Sequence, residues 1–122
     1  MTIAAKTLRD YQHEAETLLG DKLRHPRLGA VLALTEELGE LVKEIMEIEI
    51  YNTAHLPLEE AAKAKLSAEA GDILFSLFEV CTAYEIDLTT AYEAKFAKLQ
   101  SMQADWLIRF GPHLSQLRQK LD

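Results

Sequence analysis

Cysteine is almost missing from this chain: of 122 residues only Cys81 is one. A lone thiol excludes an internal disulfide framework and fits a reducing compartment. Cys81 sits in an apolar run, so it reads as a buried, inert side chain rather than a nucleophile. Long apolar stretches are missing as well. The longest run without Asp, Glu, Lys or Arg is Ile50 to Leu58, nine residues, too short to span a bilayer. The first residues carry Lys6, Arg9 and Asp10 with no apolar h-region, so no secretory signal is expected there. Positive charge is scarce: 13 Lys+Arg stand against 20 Asp+Glu, a formal balance of -7. That balance argues against a nucleic acid polymer, whose phosphates need basic clusters, and against an anionic membrane surface. What remains is a soluble, acidic domain expected in the cytoplasm.

Helix breakers are few too. Five glycines and three prolines punctuate the chain, at Gly20-Asp21, His25-Pro26, Leu56-Pro57 and Gly111-Pro112. Between them no strand-like alternation persists, and apolar residues recur every three or four positions, which predicts an all-α fold. One helix is expected from about Ile3 to Leu19 and a second from about Leu28 to Tyr51. A third is expected from near Leu58, after Pro57, to about Tyr84. Asp87 is placed to cap a fourth, Leu88 to about Met102. The tail from Ala104 to Asp122 reads as one or two short helices broken at Gly111-Pro112. With no linker to divide it, 1–122 reads as a single helical domain.

The informative feature is a short echo, Glu37-Leu38-Gly39-Glu40 and Glu69-Ala70-Gly71-Asp72. Carboxylates at i and i+3 share one helical face. Counted from Glu37, the stripe Leu34, Leu38, Leu41, Val42, Ile45 and Ile48 falls at roughly 20° to 140° and Glu40 at roughly 300°. Counted from Glu69, the stripe Leu66, Ile73, Leu74, Leu77, Val80 and Cys81 covers the same arc, with Asp72 at roughly 300°. Packed antiparallel, the two helices bring four carboxylates to one margin of the core. Such a cluster needs protons or cations, and an all-oxygen donor set selects a hard ion, Mg²⁺ or Mn²⁺. Glu44, at roughly 340°, shares the acidic edge, while Glu36, at roughly 260°, points outward. Gly39 and Gly71 each cost about 1 kcal/mol against Ala in a helix, which predicts a close backbone approach beside them.

Glu36-Glu37-Leu38-Gly39-Glu40-Leu41 followed by Glu69-Ala70-Gly71-Asp72-Ile73-Leu74 resembles the EExxE…ExxD pattern of MazG-like all-α nucleoside triphosphate pyrophosphatases. The resemblance covers about His25 to Lys98 and implies a four-to-five-helix bundle assembled as an oligomer. It implies cleavage of a nucleoside triphosphate between the α and β phosphates, to the monophosphate and pyrophosphate. Glu37, Glu40, Glu69 and Asp72 match the metal-binding positions, and Glu36, or Glu37 beside it, would orient or deprotonate the attacking water. Lys95 matches a phosphate-binding Lys, and Lys98 stands where the family often has Arg or Asn. His25, in His25-Pro26-Arg27, is similar to a nucleotide-pocket His of the dCTP-cleaving branch.

Competing readings remain open at this point. A non-catalytic helical module would use the acids only for solubility. Phosphoribosyl-ATP cleavage is a neighbouring activity, although the long spacer after Glu40 favours a nucleotide-pool enzyme. A di-iron bundle lacks its Glu-x-x-His, and the P-loop GxxxxGK[ST] is absent. His13, His55 and His113 have no partner spacing, and Trp106 reads as a core or subunit contact. The stripes are broad for a monomer, so a homodimer or dimer of dimers is expected.

Overall fold

The computed structural model describes residues 4–52 and 56–122, and among these every regular element is helical. The five helices are α1 (Leu8–Leu23), α2 (Arg27–Tyr51), α3 (Glu60–Ala83), α4 (Leu88–Arg109) and α5 (Gly111–Leu121). The expected start at Ile3 and the residue His55 lie outside the described residues.

Local chemistry explains where the observed ends differ from expectation. Thr7 stops α1 short of the terminus with a capping box: its hydroxyl accepts from the Asp10 amide at 3.3 Å, and Asp10 Oδ2 accepts from the Thr7 amide at 2.7 Å. Gly20, at φ 57°, kinks α1 without ending it, and helical turns resume to Leu23. At its start α3 begins at Glu60, two residues later than the Pro57 signal alone implies. Its end is a Schellman motif. The Ile86 amide donates to the Cys81 carbonyl at 2.8 Å and the Glu85 amide to the Thr82 carbonyl at 3.2 Å, with Glu85 at φ 56° where Gly is usual. α4 does not stop near Met102 but continues to Arg109, and Pro112 stands in the first turn of α5, where its missing N–H costs nothing.

The chain divides into two compact units, Met1–Leu88 and Thr89–Asp122. In the first, α3 is the shared element, with both α2 and α1 packed against it. Ala15, Ala30, Phe78 and Cys81 are its buried apolar residues. The buried Gln12 joins three elements. Its amide nitrogen donates to Ile86 O at 2.8 Å and Thr82 Oγ1 at 3.3 Å, while its oxygen accepts the Leu88 amide at 3.1 Å. That last bond satisfies one of the orphan donors of α4. Arg9 adds a bond from Nε to Asp87 Oδ2 at 2.8 Å.

In the second unit Tyr92 stacks on Phe96 with centroids 6.2 Å apart, and Trp106 is half-buried in an apolar notch with Phe110 and Leu114. Charge is split unevenly: residues 1–88 hold 8 Lys+Arg and 17 Asp+Glu, residues 89–122 hold 5 and 3.

The apolar stripes are only half covered. Leu34, Leu41 and Ile48, nearest the acidic edge of α2, are half-buried against α3. Leu38, Val42 and Ile45 on the far side remain 41–51% exposed, and Leu74 of α3 is 44% exposed.

Candidate metal centre

The α2–α3 seam brings Glu37, Glu40 and Glu69 together: each offers a carboxylate oxygen within 4.8 Å of the others. Glu37 and Glu69 are half-buried and Glu40 is exposed. This follows from the sequence pattern. The i, i+3 pairs border the apolar stripes, so burial of Leu34, Leu41, Ile73 and Val80 draws the acids to the seam. Asp72 lies on the same edge of α3 and is exposed; it is outside the tight triad, but its charge bears on both Glu37 and Glu69.

The electrostatics are those of a site short of positive charge. Burial, then the charges of Glu40, Asp72, Glu69 and Glu36, push the Glu37 carboxyl above its usual range. Burial, then the charge of Glu40 and a hydrogen bond with it, then Asp72 and Glu44, push Glu69 in the same direction. One oxygen of each, Glu37 Oε2 and Glu69 Oε2, is buried without a hydrogen-bond partner. Buried carboxylate oxygens are almost always paired, so two orphans facing one cluster fit a cation-binding site. The donors are all oxygen, which suits Mg²⁺ or Mn²⁺.

A scan against protein-family models matches residues 27–105 to the MazG nucleotide pyrophosphohydrolase domain. The chain belongs to the MazG nucleotide pyrophosphohydrolase family. It is thus an enzyme of that class, a hydrolase acting on acid anhydrides. Among solved structures it is similar to the Bacillus-conserved MazG protein, a nucleotide pyrophosphohydrolase. The two share 28% identity over 79% of this chain and 92% of that one, with a TM-score of 0.59. Among curated proteins none matches. The MazG match contains all four acids, Glu36, Lys95 and Lys98, begins two residues after His25, and leaves α5 outside.

The remaining candidate residues lie as follows. Glu36 is exposed beside the cluster, in keeping with its outward angle. Lys95 and Lys98 are exposed on α4 in the second unit. His25 is not among the acids: its Nδ1 meets Glu79 Oε1 of α3 at 2.6 Å. It lines a hollow with Gly20, Arg24, Arg27 and Tyr84, and Arg27 sits 5.7 Å over the Tyr84 ring. From Glu69 to Glu79 is about 15 Å along α3. Within this chain nothing makes the close approach expected at Gly39 and Gly71: a methyl group at either position would meet no atom of it within 4 Å. Cys81 is buried, and burial pushes its thiol further from ionisation, as an inert thiol requires.

Sequence reasoning missed Lys65. Its Nζ donates to Glu44 Oε1 at 3.0 Å at the end of the acidic seam. The signal was half present, since Lys65 lies four residues before Glu69. Its partner becomes visible only once the antiparallel register of α2 on α3 is known.

Proposed function

We propose that this MazG protein is a Mg²⁺-dependent nucleoside triphosphate pyrophosphohydrolase of nucleotide-pool housekeeping. It would cut the α–β anhydride with water, releasing a nucleoside monophosphate and pyrophosphate. The observation that carries the reading is the pair of buried, unpartnered oxygens on Glu37 and Glu69, inside the family match and within reach of Glu40.

Glu37, Glu40, Glu69 and Asp72 would hold the metal, and Mn²⁺ would suit the same donors. When bound, Mg²⁺ supplies charge neutralisation for the polyphosphate and Lewis acidity at phosphorus. The other contributions are the protein's own. Glu37 and Glu36 are neighbours in sequence with different surroundings, one half-buried among acids and one exposed. Glu36, or Glu37 beside it, would orient or deprotonate the attacking water; the exposed position of Glu36 next to the half-buried acids supports giving it that role while Glu37 holds the metal. Lys95 and Lys98 would meet phosphate oxygens as negative charge develops; the positive balance of their unit supports this. His25 would contact the nucleoside end of the substrate, supported by the hollow it lines and its spacing from the acids.

The working form is a homodimer or dimer of dimers. Leu38, Val42, Ile45 and Leu74 form an uncovered apolar strip on α2 and α3, which a second copy would bury. The acidic balance argues against a nucleic acid polymer and an anionic membrane surface as partners; no described helix is long and apolar enough to cross a membrane.

The deciding experiment is a panel of ribo- and deoxyribonucleoside triphosphates with Mg²⁺, detecting pyrophosphate and orthophosphate separately. Pyrophosphate in step with monophosphate is the expected result. Orthophosphate as the product, or no turnover across the panel, overturns the reading.

A further inference from the structure

The acidic edge of α2 does not end at Glu40. One turn further, Glu44 is mostly buried, with 19% of its side chain exposed, yet its Oε1 is not an orphan: Lys65 holds it at 3.0 Å. Lys65 lies one turn before Glu69 on α3. Glu40 meets Glu69 within the triad and Glu44 meets Lys65, and the numbering that pairs them sets Asp72, whose charge acts on Glu37, opposite Glu37 in the same antiparallel register. Two rungs are acid against acid, and the third is acid against base. A largely buried carboxylate needs a cation, and on this rung the chain supplies its own.

We propose that Lys65 is a resident counter-cation that withholds Glu44 from the metal, confining divalent binding to the two all-acid rungs and setting its affinity. The inference rests on the metal reading above. Two effects act in the same direction. An ammonium one helical turn from the site, well inside the Debye length, opposes a divalent cation. A Glu44 engaged by Lys65 also cannot serve as a further carboxylate ligand. The functional consequence concerns the open coordination positions: Mg²⁺ ringed by too many protein carboxylates has fewer left for phosphate oxygens. Lys65 is thus a positioning residue, acting through Glu44.

The test is Mn²⁺ titration of the full-length protein without substrate, by calorimetry or by the electron paramagnetic resonance signal of the free ion. Lys65→Met tightens Mn²⁺ binding about three- to tenfold, and Lys65→Gln, a second variant of the exposed position, does the same. Lys65→Arg keeps the cation and stays within about twofold of wild type. Adding Glu44→Gln to Lys65→Met removes the released acid and returns the affinity toward wild type. Unchanged or weaker binding in folded Lys65→Met or Lys65→Gln overturns the inference while leaving the metal centre intact. A double variant that keeps the whole gain overturns the withholding of Glu44. No Mn²⁺ binding by wild type removes the centre itself, and this inference with it.

Discussion

The two edges of the α2–α3 pair make opposite demands. On one edge, polar atoms that belong in water are buried: Glu37 Oε2 and Glu69 Oε2 have no partner. On the other, side chains that belong in a core are exposed: Leu38, Val42, Ile45 and Leu74. Both are departures from ordinary folding, and they fall on opposite sides of one seam. This helix pair is thus incomplete in two chemically distinct ways. One edge is answered by cations and the other by apolar surface. Perturbing each edge separately therefore produces different losses.

The largest effect belongs to the acidic edge. Glu40→Gln removes one of three converging carboxylates and is expected to lower kcat/KM at least about 100-fold. In the absence of metal the same variant melts higher than wild type, because repulsion on Glu37 and Glu69 is relieved. Steady-state kinetics and metal-free melting together separate this from loss by unfolding, which lowers both. Next comes the apolar edge. Leu38→Asp or Val42→Asp puts a charge into the strip and is expected to shift the protein to monomer in analytical ultracentrifugation, weakening association by at least about tenfold. If either variant stays associated, the strip is not the interface.

The pH dependence sharpens the same contrast. Glu37 and Glu69 titrate above the ordinary carboxylate value in the folded chain, so the metal-free folded state keeps protons that the unfolded chain has released. Their contribution to stability is therefore lost as pH rises through the raised values and recovered as pH falls toward 4.5, the ordinary value. Asp10, pulled down by its bonds to Thr7, acts oppositely but only below 3.8. Metal-free protein is thus expected to melt higher at pH 5 than at pH 7, and saturating Mg²⁺ to reverse that order by favouring the ionised cluster. Melting curves at both pH values, with and without Mg²⁺, check it; a flat metal-free profile breaks the claim of an uncompensated acidic edge. The smallest effect lies away from both edges. Glu85→Gly relieves a left-handed residue in the Schellman turn and is expected to add about 1 kcal/mol in chemical denaturation.

Much of this was legible from local spacing. The all-helical architecture followed from apolar periodicity, and the acid pairs Glu37/Glu40 and Glu69/Asp72 announced themselves because i, i+3 spacing is local. Features that depend on another segment were not legible. Lys65 finds Glu44, and His25 finds Glu79, only through the register of α2 and its preceding loop on α3. Helix ends slipped for a related reason. The short side chains of Thr7 and Asp10 set the start of α1, and nothing near Met102 is strong enough to stop α4 before the Gly111-Pro112 break. The glycines were not informative about this chain's own packing, since Gly39 and Gly71 face open space within it.

Gln12 ties the docking of α1 to a single backbone proton. Its carboxamide is donor to the end of α3 and acceptor for the first amide of α4, so the Leu88 N–H is protected only while α1 stays docked. That single proton is a built-in reporter. Its hydrogen-exchange rate, read by NMR, records how often the N-terminal helix lifts from the body, without any label being introduced.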